Sequence, residues 1–378
     1  MESTQKTPEA SEVIAKKVSR REVFKYAGLF MGSAALGGGL MKPSSALALQ
    51  SAGDSSVSNP RKYINSTLPK IDIFCHILPE KYVAAFKKKT DAFAKSNELE
   101  NAAVTDIDMR LRIMDRYPDV FQVLTVSLPP VESLVSPKDA VELAQIANDE
   151  LAELVMKYPD KFVGAAACLP LNDMDATLKE VDRAITQLGL KGVQITTTVN
   201  GENLNSEKFW PLYEKMAEYD LPLWIHPCST ETQHDPLLGW LYQTASAMRF
   251  LVGSGVFYEF PDIKFITHHG GSFIPYAEGR IKWMFANGPK IGPTIKEPLE
   301  HFRKFYNDTA VYGGTSALEL AHGFFGADHI LFGTDAPLGP EFGLTSETLR
   351  SVERMAVSDT DKTKIFLENA VKLLKLAI

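Results

Sequence analysis

From residue 70 onward the apolar residues follow two rhythms. Short runs of consecutive apolar and β-branched residues predict strands over 71–76, 121–128, 162–169, 192–196, 222–226, 263–268, 305–309 and 329–333. Between them, apolar residues recur at i, i+3 and i+4, which predicts helices over 137–157, 173–188, 206–219, 240–259, 274–285, 316–324 and 346–357. The strands read as near-continuous apolar runs, as a parallel sheet covered on both faces requires. Eight strands, each followed by helical sequence, predict an α/β fold, a single (β/α)8 TIM barrel; a doubly wound sheet is the alternative arrangement of the same pattern. Two connections exceed what a barrel needs, 227–239 and 286–300. The first follows a strand's C-terminal end and is a candidate lid.

Composition narrows the class. Of the 378 residues 45% are hydrophobic and 23% charged, which excludes a disordered, collagen-like or coiled-coil chain. Net charge is −7 with no basic stripe, so a small-molecule substrate is expected and a nucleic-acid partner is not. The N-terminus reads as a targeting segment. Ser19-Arg20-Arg21-Glu22-Val23-Phe24-Lys25 precedes a weakly apolar, glycine-rich run over 26–41, and Ala46-Leu47-Ala48 offers a small-residue cleavage site. It resembles a twin-arginine export signal and implies a partner in the twin-arginine export machinery and a periplasmic or extracellular location. The expected organisation is a signal over 1–48, a linker over 49–68 and one barrel over 69–378. The three cysteines, Cys75, Cys168 and Cys228, are far apart and form no C-x-x-C, so buried unpaired thiols are expected.

In a barrel, chemistry collects at the C-terminal ends of the strands. His76 ends the first strand, His226 the fifth, His268 and His269 the sixth, and Asp335 follows the eighth. Imidazoles from different strands together with a carboxylate are what a mononuclear Zn²⁺-type site with an open position requires. A further histidine then serves as acid or base near neutral pH.

Longer stretches carry a family resemblance. Gly192-Val193-Gln194-Ile195, Phe209-Trp210-Pro211-Leu212-Tyr213, Leu221-Pro222-Leu223-Trp224-Ile225-His226-Pro227, Thr267-His268-His269-Gly270-Gly271 and Phe332-Gly333-Thr334-Asp335 resemble the amidohydrolase-related family typified by aminocarboxymuconate semialdehyde decarboxylase. The resemblance runs from Lys70 to the C-terminus and implies a distorted TIM barrel of the metal-dependent hydrolase type. It implies one divalent metal held by an H-x-H pair on strand 1, a His on strand 5 and an Asp on strand 8. His76, His226 and Asp335 match; Phe74 stands where the first His of the pair belongs. Alternation puts residues 74 and 76 on one face, so Phe74 is expected to line the substrate pocket beside a site reduced to three ligands. Cys228 is an alternative replacement ligand. The resemblance gives the acid/base role to a strand-6 histidine, with His268 preferred over His269, and Asp335 shares in proton transfer. Arg110, Arg112 and Arg280 are candidates for gripping a substrate carboxylate; the alternative is solvated helix-face arginines.

The leading functional expectation is a metal-dependent, non-oxidative decarboxylase of an aromatic or unsaturated carboxylic acid, with Zn²⁺ expected and Mn²⁺ as the alternative. Two others stay open: a metal-dependent hydrolase of an ester, lactone or amide, and a non-catalytic exported binding protein that has lost its metal at Phe74. Strand 4 carries Gln194 and no lysine, which disfavours a binuclear hydrolase. The resemblance also implies a homodimer.

Overall fold

The computed structural model describes residues 68–377 apart from 229–234, 236, 290–291 and 340–343. The expected signal and all of the expected linker except Leu68 lie outside the described residues, as does most of the candidate lid over 227–239.

Eight parallel strands follow one another in the predicted places: β1 (Lys70–Ile77), β2 (Val120–Val126), β3 (Phe162–Ala165), β4 (Val193–Thr196), β5 (Leu223–His226), β6 (Phe265–Thr267), β7 (Tyr306–Asp308) and β8 (Ile330–Leu331). Regular pairing gives a three-stranded sheet, β1 to β3, and a five-stranded sheet, β4 to β8. Two seams join them. At the first, Lys191 N donates to Ala165 O (2.8 Å) and Gln194 N to Ala167 O (2.9 Å). At the second, which closes the barrel, Ile73 N donates to Phe332 O (3.0 Å), Asp335 N to Phe74 O (3.0 Å) and His76 N to Ala336 O (2.7 Å).

The helices α1 (Glu80–Lys89), α2 (Ile107–Met114), α3 (Pro137–Lys157), α4 (Met174–Thr186), α5 (Trp210–Tyr219), α6 (Gly239–Ser254), α7 (Glu278–Asn287), α8 (Thr315–Phe325) and α9 (Thr345–Glu353) alternate with the strands. Local sequence explains their limits. In α3 the Ser136 hydroxyl accepts from Asp139 N and Pro137 occupies the first turn, where its missing N–H costs nothing; Ala140, Leu143, Ala144, Ala147 and Leu151 form the buried stripe. The single helix expected over 240–259 is two, because Gly255 takes a left-handed φ of 81° and α6 ends there. At the start of β4, Gly192 has φ 144° and a Cβ there would lie 2.3 Å from Pro222 O, so only glycine lets the chain pass this close.

The lumen is filled by Ile71, Ile73, Phe74, Val123, Ala166, Trp224, Ile266 and Leu331 and sealed by Ala370, Leu373 and Leu374 of the C-terminal helical segment. That segment docks through Phe332 N to Ile365 O (2.8 Å) and through Asn369 Nδ2 to the carbonyls of Ala327 and Ile330 (both 2.7 Å). These contacts leave the opposite, C-terminal face of the strands for the chemistry.

Asp72 fastens the closing seam. Its fully buried carboxylate accepts from Thr334 N (3.0 Å), Phe74 N (3.3 Å) and the Thr334 hydroxyl. Burial pushes the carboxyl up from 3.8 to about 6 against these hydrogen bonds. A raised folded-state value makes the protonated form the more stabilising one, so stability falls as pH rises from about 4 to 6. A shift of that size corresponds to roughly 3 kcal/mol. Urea unfolding of wild type and Asp72→Asn at pH 4 and pH 7 is expected to show wild type losing about that much relative to the variant; an unchanged difference contradicts the assignment.

Candidate active site

Five strands bring side chains from at or just beyond their ends to one small cavity at the C-terminal mouth, lined by Phe74, Leu128, His226, Trp240, His269 and Asp335 among others. His76, from the end of β1, lies against it. Its Nε2 is 3.0 Å from Asp335 Oδ1 and 3.2 Å from His226 Nε2. The other ring nitrogens are occupied: His226 Nδ1 lies 2.6 Å from Pro227 O, and His76 Nδ1 lies 3.3 Å from Thr125 Oγ1. A carbonyl only accepts, so His226 Nδ1 carries a proton and its Nε2 is a bare acceptor. Burial, and secondarily His76 and His268, hold the His226 ring well below its ordinary range and therefore neutral.

Among the described residues no group of three or more His, Cys, Asp and Glu side chains is spaced to hold a metal ion as it stands; His76 Nε2 touches both Asp335 and His226. Their chemistry nevertheless fits an ion. His76 Nε2 faces two acceptors, the bare His226 nitrogen and a carboxylate, so a cation belongs at this point: a proton, or a divalent metal that displaces it.

The loop after β6 separates the two adjacent histidines. His269, Gly270, Gly271 and Ser272 all have positive φ, between 58° and 70°, and a Cβ on Gly271 would lie 2.5 Å from Phe325. Asp308, at the end of β7, secures the bend by accepting His268 Nδ1 on one oxygen (2.6 Å) and His269 N on the other (2.8 Å). His268 is fully buried and stacks on Phe74, ring centroids 3.6 Å apart, with no partner at Nε2. Burial depresses it more than Asp308 raises it, so it stays neutral. His269 lines the cavity, with Nε2 4.0 Å from Asp335 Oδ2 and no partner at Nδ1. Burial works against its charged form, but Asp335 and Asp308 prevail and its pKa is raised. Asp335 is pushed up by burial yet held well below the usual carboxylate range by His269 and His76, and Tyr312 Oη donates to it (3.1 Å).

Other site residues from the sequence fall in different places. Phe74 takes the lumenal position expected of it, 4.6 Å from the His76 ring centroid. Arg110 does not grip substrate: its guanidinium is buried behind the wall, with Nε bonded to Gln122 Oε1 (3.0 Å) and Nη1 to the His76 carbonyl. Arg112 and Arg280 are exposed on α2 and α7, and neither lines the cavity. Cys228 turns to the hydroxyls of Thr197 and Thr198 (3.7 and 3.6 Å), away from a ligand role. All three cysteines are free thiols. Sequence reasoning overlooked Asp308 and Tyr312. Asp308 satisfies the same test that found the histidines, an ionisable residue at a strand's C-terminal end; Tyr312, in the loop beyond, carried no such signal.

Residues 71–376 match the family model described as amidohydrolase, and the chain belongs to that family. It is similar to the γ-resorcylate decarboxylase of Polaromonas sp., 32% identical over 305 residues covering 74% of this chain and 90% of that protein. It is also similar to the 2-amino-3-carboxymuconate-6-semialdehyde decarboxylase of Dictyostelium discoideum, 28% identical over 81% of this chain and 92% of that one. Among solved structures, a dihydroxybenzoic acid decarboxylase from Polaromonas sp. JS666, with bound manganese and the inhibitor 2-nitroresorcinol, superposes with a TM-score of 0.69 at 27% identity, covering 82% of this chain and 97% of that one.

The two histidines contribute differently to the fold. His268→Ala leaves the buried Asp308 carboxylate without its ring partner and is expected to cost about 3 kcal/mol. His269→Ala removes only a looser contact, with Asp335 at 4.0 Å, and is expected to cost clearly less. Chemical unfolding of both variants measures this, and equal losses contradict the assigned geometry.

Proposed function

We propose that this protein is a metal-dependent, non-oxidative decarboxylase of an aromatic carboxylic acid. The observation that carries the reading is the meeting of His76 Nε2, His226 Nε2 and the Asp335 carboxylate at the barrel mouth, beside an acid-favouring His269. The names and activities of the similar proteins support it. His76, His226 and Asp335 would hold a divalent ion, which when bound supplies a Lewis acid to a substrate oxygen. Zn²⁺ and Mn²⁺ both suit two imidazoles and a carboxylate, and the manganese in the Polaromonas structure favours testing both.

The chain's own residues do the rest. Phe74, Leu128 and Trp240 give the cavity apolar walls suited to an aromatic ring and exclude water from it. When the bond from the ring to the carboxylate breaks, the electron pair stays on the ring carbon, CO₂ leaves and one proton is taken up. His269 is assigned that proton, because Asp335 faces its Nε2 and favours the imidazolium while Nδ1 has no protein partner. His268, neutral and stacked beneath Phe74, is assigned a positioning role in place of the acid/base role first expected of it. The homodimer is supported by the exposed apolar residues Tyr276, Trp283 and Met284 on and beside α7, a helix with no buried residue. Export by the twin-arginine route is supported by Arg20-Arg21 and the apolar run that follows.

Release of CO₂ from 2,6-dihydroxybenzoate by the Mn²⁺- or Zn²⁺-loaded protein tests the reading directly, with acid release from lactones as the opposing outcome. His226→Ala and Asp335→Asn are expected to lose turnover and bound metal together while circular dichroism stays native. His269→Asn is expected to keep metal and lose roughly 10²-fold in turnover; retained turnover there sinks its assignment. Phe74→His adds a nitrogen donor beside His76 and is expected to tighten Zn²⁺ or Mn²⁺ binding by isothermal titration. No gain would mean that the three donors do not form the site.

A further inference from the structure

A second cavity adjoins the first. Ser127 and Leu128 line both, so a wall two residues long separates the candidate active site from a chamber at the ends of β2 and β4. The chamber offers about 30 Å³, enough for one small polar group or a water or two.

Its walls carry buried polar groups that are not fully paired. Tyr82 is fully buried and its hydroxyl has no hydrogen-bond partner. Gln194 donates Nε2 to the Val126 carbonyl (2.7 Å), which fixes the amide and leaves Oε1 as a buried acceptor without a donor. Glu132 is 6% exposed; its carboxylate accepts from its own backbone N–H, but among the described residues no basic side chain neutralises it. Burial lifts its carboxyl to about 7, so near neutral pH it both accepts and donates. Asn172 Nδ2 holds the loop carrying Glu132 by reaching the carbonyls of Glu132 (3.4 Å) and Val135 (3.3 Å). Buried polar groups are normally paired, and three unsatisfied or unneutralised ones around one small space call for a common partner. Two of the three accept strongly, which excludes a carboxylate and favours a group that brings its own proton.

We propose that this chamber is a specificity subsite that takes a hydroxyl or amino substituent of the aromatic acid: Gln194 Oε1 and Glu132 accept from the substituent, and the Tyr82 hydroxyl donates to it. The assignment rests on the decarboxylase reading and adds to it which acids are preferred. The substituent enters past Leu128 while the acid's carboxylate stays at the His76, His226 and Asp335 cluster.

The test uses the full chain loaded with Mn²⁺ and two sets of substrates, 2-hydroxybenzoate and its derivatives with one added hydroxyl or amino group at each free ring position. Wild type is expected to prefer at least one derivative, and Tyr82→Phe to cut that preference, read as the ratio of kcat/KM values, by roughly tenfold through KM, the size expected for one buried hydrogen bond. Glu132→Gln is expected to act on the same derivative and to shift the pH at which its KM changes. Unchanged ratios in both variants, with only the thermal midpoint altered, would show that the chamber holds structural water alone and overturn the subsite. If wild type releases no CO₂ from any acid, the decarboxylase reading fails separately. Calorimetric affinities of the same acids for wild type and Tyr82→Phe then decide the subsite, equal affinities or no binding overturning it.

Discussion

Closure of the barrel between its first and last strands is the constraint on which the rest of this molecule depends. No regular ladder joins β1 to β8; a few backbone hydrogen bonds and the buried Asp72 carboxylate do so, by gripping Thr334 through both its amide and its hydroxyl. The same seam carries Asp335, whose amide donates to Phe74 O, and so sets a carboxylate 3.0 Å from His76. Strand pairing and site geometry are therefore one set of bonds. Arg110 reinforces it from outside by holding the carbonyl of His76, a positioning contact made from behind the wall.

Electrostatics sort three of the mouth histidines into distinct forms. Burial keeps His226 and His268 neutral, and a neutral imidazole is what donation of a nitrogen lone pair requires. His269 departs from them because it faces Asp335 and has Asp308 close by, which outweigh burial. Neighbours in sequence thus differ in chemistry for a geometric reason: four consecutive left-handed residues turn one ring onto Asp308 and Phe74 and the other into the cavity. Asp335 and Tyr312 also have positive φ. Non-glycine residues in this region are rare and costly, and two of them, His269 and Asp335, line the cavity while Tyr312 bonds to Asp335, so part of the fold's backbone strain is held at the site.

Much of this was legible along the chain. The eight strands fall where apolar runs predicted them, because a parallel strand buried on both faces leaves an unbroken apolar signature. His76, His226, His268, His269 and Asp335 were recognisable from their places at strand ends, and the paired seams explain why such places converge. Phe74 was legible too, since alternation along β1 fixes the face it shares with His76. The helix break at Gly255 was missed: Gly253 and Gly255 both sit in the apolar periodic run, and the run does not announce which of them takes the positive φ that ends the helix.

What the sequence by itself determined is the order and character of the elements, the lumenal face of β1 and the set of donors at the mouth, because these follow from local periodicity and strand direction. What only the tertiary structure decided is where long side chains end and which partners they meet. Arg110 and His268 had the residue types that substrate binding and proton transfer require, yet one turns behind the wall to a carbonyl and the other is buried against Asp308 and Phe74. The chamber of Tyr82, Glu132 and Gln194 is drawn from α1, the loop after β2 and β4. No spacing in the chain encodes it, because hydrogen-bond satisfaction is a property of three-dimensional neighbours, and those are set only when the barrel closes.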